Sequence, residues 1–153
     1  MKKEYDLVII GSGGAGLSAA LEVSEKGYPK FKIAVVTKTH PLKGNTGAMQ
    51  SGIGAALGNI EEDRAEWHAF DTVKGGDYLV DQYAAQIMAE EAIFTVNNLE
   101  NCGFPFIRTK YGKIDQRRFG GHTKNFGSTP VSRSCYTADR TDQMILLSLY
   151  QQC

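Results

Sequence analysis

Apolar positions follow two different periods in the first 38 residues of the chain. Residues 5–10 form an apolar run of the length of a buried strand, and the run ends directly at a glycine. Over residues 17–26, apolar or small side chains return every three or four positions, as on one face of a helix. A second apolar run, residues 31–37, follows a break around Pro29. The pattern predicts a strand, a helix and a second strand, parallel to the first because such crossovers are right-handed.

The turn between the first strand and the helix has the pattern G-x-G-x-x-G. Its residues are Gly11, Ser12, Gly13, Gly14, Ala15 and Gly16. Gly11 allows the tight turn, Gly13 lets a pyrophosphate approach the backbone, and Gly16 lets the helix pack close to the strand. The free N–H groups and the positive dipole end of the helix then face the phosphates. This context predicts a dinucleotide site, and the alternative is a glycine turn that only packs two elements.

The end of the second strand departs from the usual dinucleotide fingerprint. An acidic residue there normally binds the ribose of NAD. Here the strand ends in Val36, Thr37, Lys38 and Thr39, without an acid. The sequence therefore favours a dinucleotide other than NAD.

Residues 40–58 contain five glycines interleaved with polar side chains. Such a segment buries little side-chain area and brings its backbone close to a neighbour. Because it follows a dinucleotide strand, we expect that neighbour to be the ring end of the cofactor. The alternative is a flexible glycine loop.

Helical periods return further along the chain. Residues 61–73 predict one helix, and Asp81 is a candidate N-cap for a longer helix over residues 82–100. The predicted packing face of the longer helix consists of Tyr83, Ile87, Met88, Ala92, Val96 and Leu99. Residues 104–108 and 113–117 flank a turn and predict a hairpin, with loops on its C-terminal side.

A last helix is predicted over residues 142–152, capped by Thr141 or Asp139. It is apolar on most sides and should be buried, yet no strand follows it. A doubly wound sheet needs more parallel strands than two. We therefore expect the opening portion of a longer fold, in which this helix lacks a partner.

Composition and charge exclude several classes of function. The 153 residues include 17 basic and 17 acidic side chains and no basic run, which argues against a nucleic-acid partner. The three cysteines are far apart and form no C-x-x-C, so neither a metal site nor an iron–sulfur cluster is predicted. We expect reduced thiols in a cytoplasmic protein. No apolar run reaches the roughly 18 residues of a membrane span, and the N-terminal run is too short for a signal peptide.

Five segments in order resemble one family: residues 37–41, 50–53, 71–78, 116–122 and 137–141. Together they resemble the flavoprotein subunit of succinate dehydrogenase and fumarate reductase, over about its first quarter. The resemblance implies an α/β fold: the N-terminal part of a Rossmann-like FAD-binding domain, with inserted helices and a small hairpin. It also implies interconversion of succinate and fumarate by hydride transfer, with electrons passing to an iron–sulfur subunit and membrane anchor subunits. The protein would then lie at the cytoplasmic face of the inner membrane.

The resemblance also implies roles for particular positions. Residues 11–16 would hold the FAD pyrophosphate, and residues 36–39 the adenosine side. The positions expected along the flavin ring are Lys43, Gly44, Asn45, Thr46, Met49, Gln50, Ser51 and Gly52. The dicarboxylate would meet Gln50, Ser51 and Phe119. The family's catalytic arginine, substrate-binding histidines and capping domain lie beyond the matched region, so we expect no catalytic residue in this chain.

Two positions depart from the family pattern. Asn45 stands where the family usually has the histidine that bonds covalently to the flavin, and an amide cannot form that bond. His40 is a poor substitute, since it lies five residues earlier. We therefore expect non-covalent FAD, whose lower potential favours fumarate reduction. Ser51 replaces a glycine at a point of close approach, where its side chain could crowd the ring or the substrate.

Other ionisable side chains are more ambiguous. We expect His68 to be packed in its helix, and His122 is a weaker candidate for a substrate contact. Arg117, Arg118 and Arg140 are expected to be solvated or structural.

Two other functions remain open. A related non-covalent flavin enzyme such as L-aspartate oxidase also lacks the linking histidine. A truncated, non-catalytic FAD-binding fragment is the second alternative.

Overall fold

The computed structural model describes residues 3–26, 30–48, 52–138 and 140–153. Its helices are α1 (Gly14–Glu25), α2 (Ala65–Gly75), α3 (Gln82–Asn101) and α4 (Thr141–Gln152). Its strands are β1 (Leu7–Ile10), β2 (Ile33–Val36), β3 (Ile53–Gly54), β4 (Gln116–Lys124) and β5 (Thr129–Cys135). Two single-turn 3₁₀ helices lie between β2 and β3, at Pro41–Lys43 and Asn45–Ala48.

The predicted strand–helix–strand unit is present at the start of the chain. β1 and β2 pair in parallel, with Leu7 opposite Ile33 and Ile10 opposite Val36. Both strands are shorter than predicted, whereas α1 begins at Gly14, three residues before the predicted start. The last three residues of the glycine turn therefore form the first turn of the helix.

A second sheet has the strand order β3-β5-β4 and is antiparallel. The prediction for this part of the chain was partly right. The predicted hairpin over residues 104–117 is present in a minimal form: Arg108 and Ile114 make an antiparallel bridge, and the N–H of Asp115 donates to the carbonyl oxygen of Ile107 at 2.8 Å. The main hairpin is β4–β5, in the stretch whose glycines indicated loops. Those glycines are accommodated by a four-residue turn, Asn125–Ser128, and by register shifts in the β4–β5 pairing.

Helix α3 packs through a different face from the predicted one. Asp81 caps it as predicted, accepting hydrogen bonds from the N–H groups of Tyr83 and Ala84 at 2.9 and 3.1 Å. Its buried residues are Ala85, Ala89, Ala92, Val96 and Leu99. Tyr83, Ile87 and Met88 are exposed, so half of the predicted face was wrong. Small side chains occupy the inner face because α2 packs closely against α3.

The core lies where α1, α3 and α4 meet the second sheet. Its buried side chains include Leu17, Leu21, Val96, Phe104, Phe106, Ile114, Leu146 and Leu149. Phe104 and Phe106 pack ring against ring, with centroids 4.3 Å apart. Leu146 of α4 is completely buried, and truncating such a side chain to alanine costs about 2–5 kcal/mol of unfolding free energy.

Helix α4 corrects two expectations. Its N-cap is Arg140, with no side-chain cap, and Thr141 is the first helical residue. The Thr141 hydroxyl instead accepts a hydrogen bond from the N–H of Thr137 at 3.0 Å; Asp139 lies outside the described residues. The helix does have partners, because it packs against α1 and both 3₁₀ helices.

Several apolar side chains of the first sheet remain uncovered. Ile10 is 89% exposed, and Val8 and Val36 are each about half exposed. Within the described residues, no helix is long and apolar enough to cross a membrane.

Candidate functional site

The glycine turn after β1 is held tightly between the two strands and α1. Gly11 has a φ of +108°, a conformation that favours glycine, and its N–H donates to the carbonyl oxygen of Val36 at 2.8 Å. A Cβ on Gly16 would lie 2.0 Å from the carbonyl oxygen of Gly11. The helix can approach the strand this closely only because Gly16 has no side chain.

The N-terminus of α1 has room and charge for an anion. Its N-cap is Gly13, which has no side chain to cap the helix, and its first turn has no acidic residue. The N–H of Gly14 donates to Thr46 Oγ1 at 3.3 Å. The helix therefore presents its positive dipole end without a neutralising carboxylate of its own. These features fit the pyrophosphate of a dinucleotide.

Hydroxyl groups connect this turn to the end of β2. Ser12 is buried, and its Oγ donates to Thr37 Oγ1 at 2.8 Å. Thr37 Oγ1 in turn donates to the carbonyl oxygen of Thr39 at 2.8 Å. The relay fixes the backbone after β2, where Lys38 is exposed and no acid lies at the strand end.

The segment after β2 begins with two 3₁₀ helices. His40 caps the first of these, since its Nδ1 accepts a hydrogen bond from the N–H of Leu42 at 3.3 Å, and its ring lies 5.9 Å from that of Tyr150. Asn45 is exposed at the start of the second, and Thr46 contacts α1 as described. The structure thus brings Thr46 to the glycine turn, with Lys43, Gly44 and Asn45 directly before it.

Part of the predicted site lies outside the described residues. This applies to Met49, Gln50 and Ser51. Gly52, the next residue, has a φ of +129°, and a Cβ there would lie 2.8 Å from the carbonyl oxygen of Cys135. In the structure this glycine thus approaches β5 closely.

A buried ion cluster that the sequence did not predict lies beside the β4–β5 hairpin. Arg133 is fully buried; its Nε donates to Asp63 at 2.8 Å and its Nη1 to Asp71 at 2.7 Å. Its Nη2 also donates to the carbonyl oxygen of Thr123 at 2.8 Å. Burial lowers the pKa of Arg133, but the bonds and charges of the two carboxylates outweigh it and raise the pKa overall. The cluster joins the hairpin to α2 and to the residues before it.

Two histidines lie next to this cluster. His68 of α2 is buried, as predicted, and burial lowers its pKa to about 4, with the charge of Arg133 acting in the same direction. Burial and Arg133 likewise lower the pKa of His122 on β4. Their ring centroids are 6.2 Å apart, and that of Phe119 lies 5.8 Å from His122. Both imidazoles are therefore neutral at neutral pH.

Burial makes one of the three cysteines a weak nucleophile. Cys102, Cys135 and Cys153 are free thiols in the described structure. Burial raises the pKa of the Cys135 thiol to about 12, which removes the thiolate needed for a nucleophile.

A family comparison identifies the dinucleotide. Residues 6–153 match the family described as FAD binding domain. The chain belongs to this family. The glycine turn, the N-terminus of α1 and the strand end without an acid are consequently parts of an FAD-binding domain.

Several relatives of this FAD-binding domain are named after one reaction. The succinate dehydrogenase flavoprotein subunit of Coxiella burnetii is 51% identical over 150 residues, covering 98% of this chain and 25% of the relative. The 8-methylmenaquinol:fumarate reductase flavoprotein subunit of Wolinella succinogenes is 40% identical, covering 92% of this chain and 22% of the relative. The solved structure of Mycobacterium smegmatis Sdh1 in complex with UQ1 superposes with a TM-score of 0.86 at 41% identity. That match covers 97% of this chain and 23% of the other.

The chain thus spans about a quarter of the length of the curated relatives it matches. The resemblance to the N-terminal part of succinate dehydrogenase and fumarate reductase flavoproteins is confirmed over nearly the whole chain. So is the α/β FAD-binding fold.

Proposed function

We propose that this chain is the FAD-binding portion of a flavoprotein subunit that interconverts succinate and fumarate. The observation that carries the proposal is the contact between Thr46 and the N–H of Gly14, at 3.3 Å. The segment that we expect along the flavin ring thus lies beside the predicted phosphate site. Identity of 51% to a succinate dehydrogenase subunit supports the choice of substrate.

Each part of the site has a proposed role. The glycine turn and the end of α1 bind the pyrophosphate, and Ser12 and Thr37 hold the backbone that receives the adenosine side. FAD supplies the hydride acceptor and donor when bound. Residues 43–52 border the flavin, and Phe119 together with Gln50 and Ser51 contacts the dicarboxylate. This chain thus binds and orients, and the groups that polarise fumarate and transfer its proton lie elsewhere in the flavoprotein.

The assembly follows from the same resemblance. We place residues 1–153 within a single FAD-binding domain, to which a capping domain and a C-terminal domain are added. An iron–sulfur subunit accepts the electrons, and membrane anchor subunits hold the complex at the cytoplasmic face of the inner membrane. The relatives' names as flavoprotein subunits support partners of this kind.

The full-length flavoprotein carrying this segment is expected to bind FAD and to reduce fumarate with electrons from a reduced dye. The measurements are flavin absorbance of the purified protein and fumarate-dependent oxidation of the dye. Residues 1–153 alone serve as the matched control and are expected to show no turnover. A full-length protein without flavin and without fumarate reduction would contradict the proposal.

The strongest alternative is an L-aspartate oxidase-like enzyme, which Asn45 alone favours. Turnover of aspartate with release of peroxide, and none of fumarate with reduced dye, would support it. The second alternative, a non-catalytic fragment, predicts FAD binding without any turnover.

Attachment of the flavin provides a separate prediction. Because an amide cannot form the histidyl bond, acid precipitation of the wild-type flavoprotein should release all FAD into the supernatant. Asn45→His should leave flavin fluorescence with the precipitated protein, since Asn45 is exposed at the start of its 3₁₀ helix and a ring can be accommodated there. Measuring flavin in pellet and supernatant tests both. Flavin that stays with the precipitated wild-type protein would contradict non-covalent binding. His40 would then be the candidate attachment site.

A further inference from the structure

The β-sheet does not determine the position of Phe119. In the β4–β5 pairing, Arg118 lies opposite Ser132 and Thr123 opposite Pro130, with a register shift between the two pairs. Five steps along β4 therefore correspond to two along β5, and residues 119–122 bulge from the ladder. Gly121 within the bulge has a φ of +86°. A side chain on such a bulge takes its direction from its contacts rather than from strand alternation.

The ring contact of Phe119 is with His122, which in turn contacts His68. Phe119 is 49% exposed, and its ring centroid lies 5.8 Å from that of His122 at an interplanar angle of 53°. The His122 ring in turn meets His68 edge to face, with centroids 6.2 Å apart. His68 is only 6% exposed and belongs to α2. The three rings form a row that runs from the buried face of α2 to the surface of β4.

The space around the inner two rings is closely filled. A Cβ on Gly54 of β3 would lie 3.2 Å from His68 Nε2 and 3.7 Å from His122 Cε1. Glycine at this position leaves room for both imidazoles, and β3 packs against them. The row therefore has little freedom to shift toward β3.

The bulge is fastened at its C-terminal end. The N–H of Thr123 donates to Asp71 Oδ2 at 2.7 Å, and its hydroxyl also donates to the same carboxylate. Arg133 donates to Asp71 and to the carbonyl oxygen of Thr123. The residue next to His122 is thus joined to α2, which carries His68.

The two imidazoles act as neutral rings in this row. Arg133, Asp63 and Asp71 are the charged groups that influence both, and burial with Arg133 keeps them unprotonated. The Nδ1 atoms of His68 and His122 are buried and have no hydrogen-bond partner among the described residues. The contacts that the structure shows for the two imidazoles are ring contacts, and a phenyl ring can reproduce these at position 122.

Resting on the proposed function, we propose that His122, supported by His68, is a positioning residue for the dicarboxylate. It orients the Phe119 ring, which contacts the substrate, and itself touches neither substrate nor cofactor. The role requires a ring at position 122 rather than an imidazole proton. This positioning role concerns substrates that contact the Phe119 ring when they bind.

Steady-state kinetics of the full-length flavoprotein test this role. His122→Ala should raise the KM for fumarate about tenfold and change kcat less than threefold, because it disorders a binding surface. His122→Phe should restore the KM to within about threefold of wild type. Phe126→Ala is the matched control, since Phe126 is an exposed ring on the same hairpin that packs on Phe70 with centroids 5.5 Å apart. Its KM should remain that of the wild type.

A second measurement observes the ring without relying on turnover. A fluorinated phenylalanine placed at position 119 should give a ¹⁹F resonance that moves toward the solvent-exposed value in His122→Ala. The resonance should return in His122→Phe and should not change in Phe126→Ala. An unchanged resonance and an unchanged KM in His122→Ala would overturn the inference.

The outcomes separate the inference from the function on which it rests. If the wild-type flavoprotein does not turn over dicarboxylates, the proposed function fails and the substrate role fails with it. If the wild type is active and the ¹⁹F resonance moves while the KM does not, ring positioning is real but the substrate role is overturned. A rise in KM that His122→Phe does not repair would likewise overturn it, because the imidazole itself would then be required.

Discussion

Gly16→Ala in the full-length flavoprotein is expected to weaken FAD binding at least about 100-fold, equivalent to about 2.7 kcal/mol. The new Cβ would lie 2.0 Å from the carbonyl oxygen of Gly11. Neither the Cβ nor the carbonyl oxygen can move by a change of rotamer, because both are fixed to the backbone. Helix α1 must therefore move away from β1. The N–H groups of Gly13 and Gly14 then leave the positions from which we propose that they bind the pyrophosphate. Titration of the apoprotein with FAD, followed by flavin fluorescence, measures the loss.

Gly75→Ala is the matched control for this substitution. Gly75 is the last residue of α2, and a Cβ there meets nothing within 4 Å. Its FAD affinity should equal that of wild type, and its unfolding free energy should rise by about 0.5–1 kcal/mol because alanine favours helices. Gly16→Ala binding FAD within threefold of wild type would show that α1 adjusts without disturbing the site.

Arg133→Met is expected to lower the unfolding free energy by about 3–5 kcal/mol. The methionine fills much of the volume of the side chain, but Asp63 and Asp71 remain as buried carboxylates without their cation. Side-chain exposure of 1% for Asp63 and 6% for Asp71 means that water cannot compensate. Chemical denaturation at pH 7 measures the loss, and the exposed Arg118→Met on the same hairpin should change the free energy by less than about 0.5 kcal/mol.

The beginning of the fold could be predicted because its signals are local. An apolar run, a glycine turn and a helical period follow one another within residues 5–26, and each element restricts the next. The close contact that requires glycine at position 16 is with Gly11, only five residues earlier in the chain. Even so, the start of α1 was misplaced, since glycines that are weak helix formers are tolerated where the turn requires them.

The β4–β5 hairpin and the ion cluster could not be predicted in the same way. The register shift between Arg118 and Thr123 removes the alternation that identifies a strand. Arg133 meets Asp63 and Asp71 across 70 and 62 residues of chain, so no spacing in the sequence connects them. The packing face of α3 was misassigned for a related reason. Close packing against α2, which no local pattern indicates, places small side chains inside and leaves larger apolar ones exposed.

The hydrogen bond from Gly14 to Thr46 has a consequence for regulation of affinity. The N–H that donates to Thr46 Oγ1 belongs to the same helix end that we propose as the pyrophosphate site. Occupancy of that end and the conformation of the 3₁₀ helix Asn45–Ala48 are therefore thermodynamically linked. Linkage is reciprocal. If ordering of this segment raises the affinity for the phosphates by some factor, bound phosphates shift the equilibrium of the segment toward its ordered form by the same factor. A substitution far from the phosphates, in residues 43–48, can thus change how firmly the dinucleotide is held.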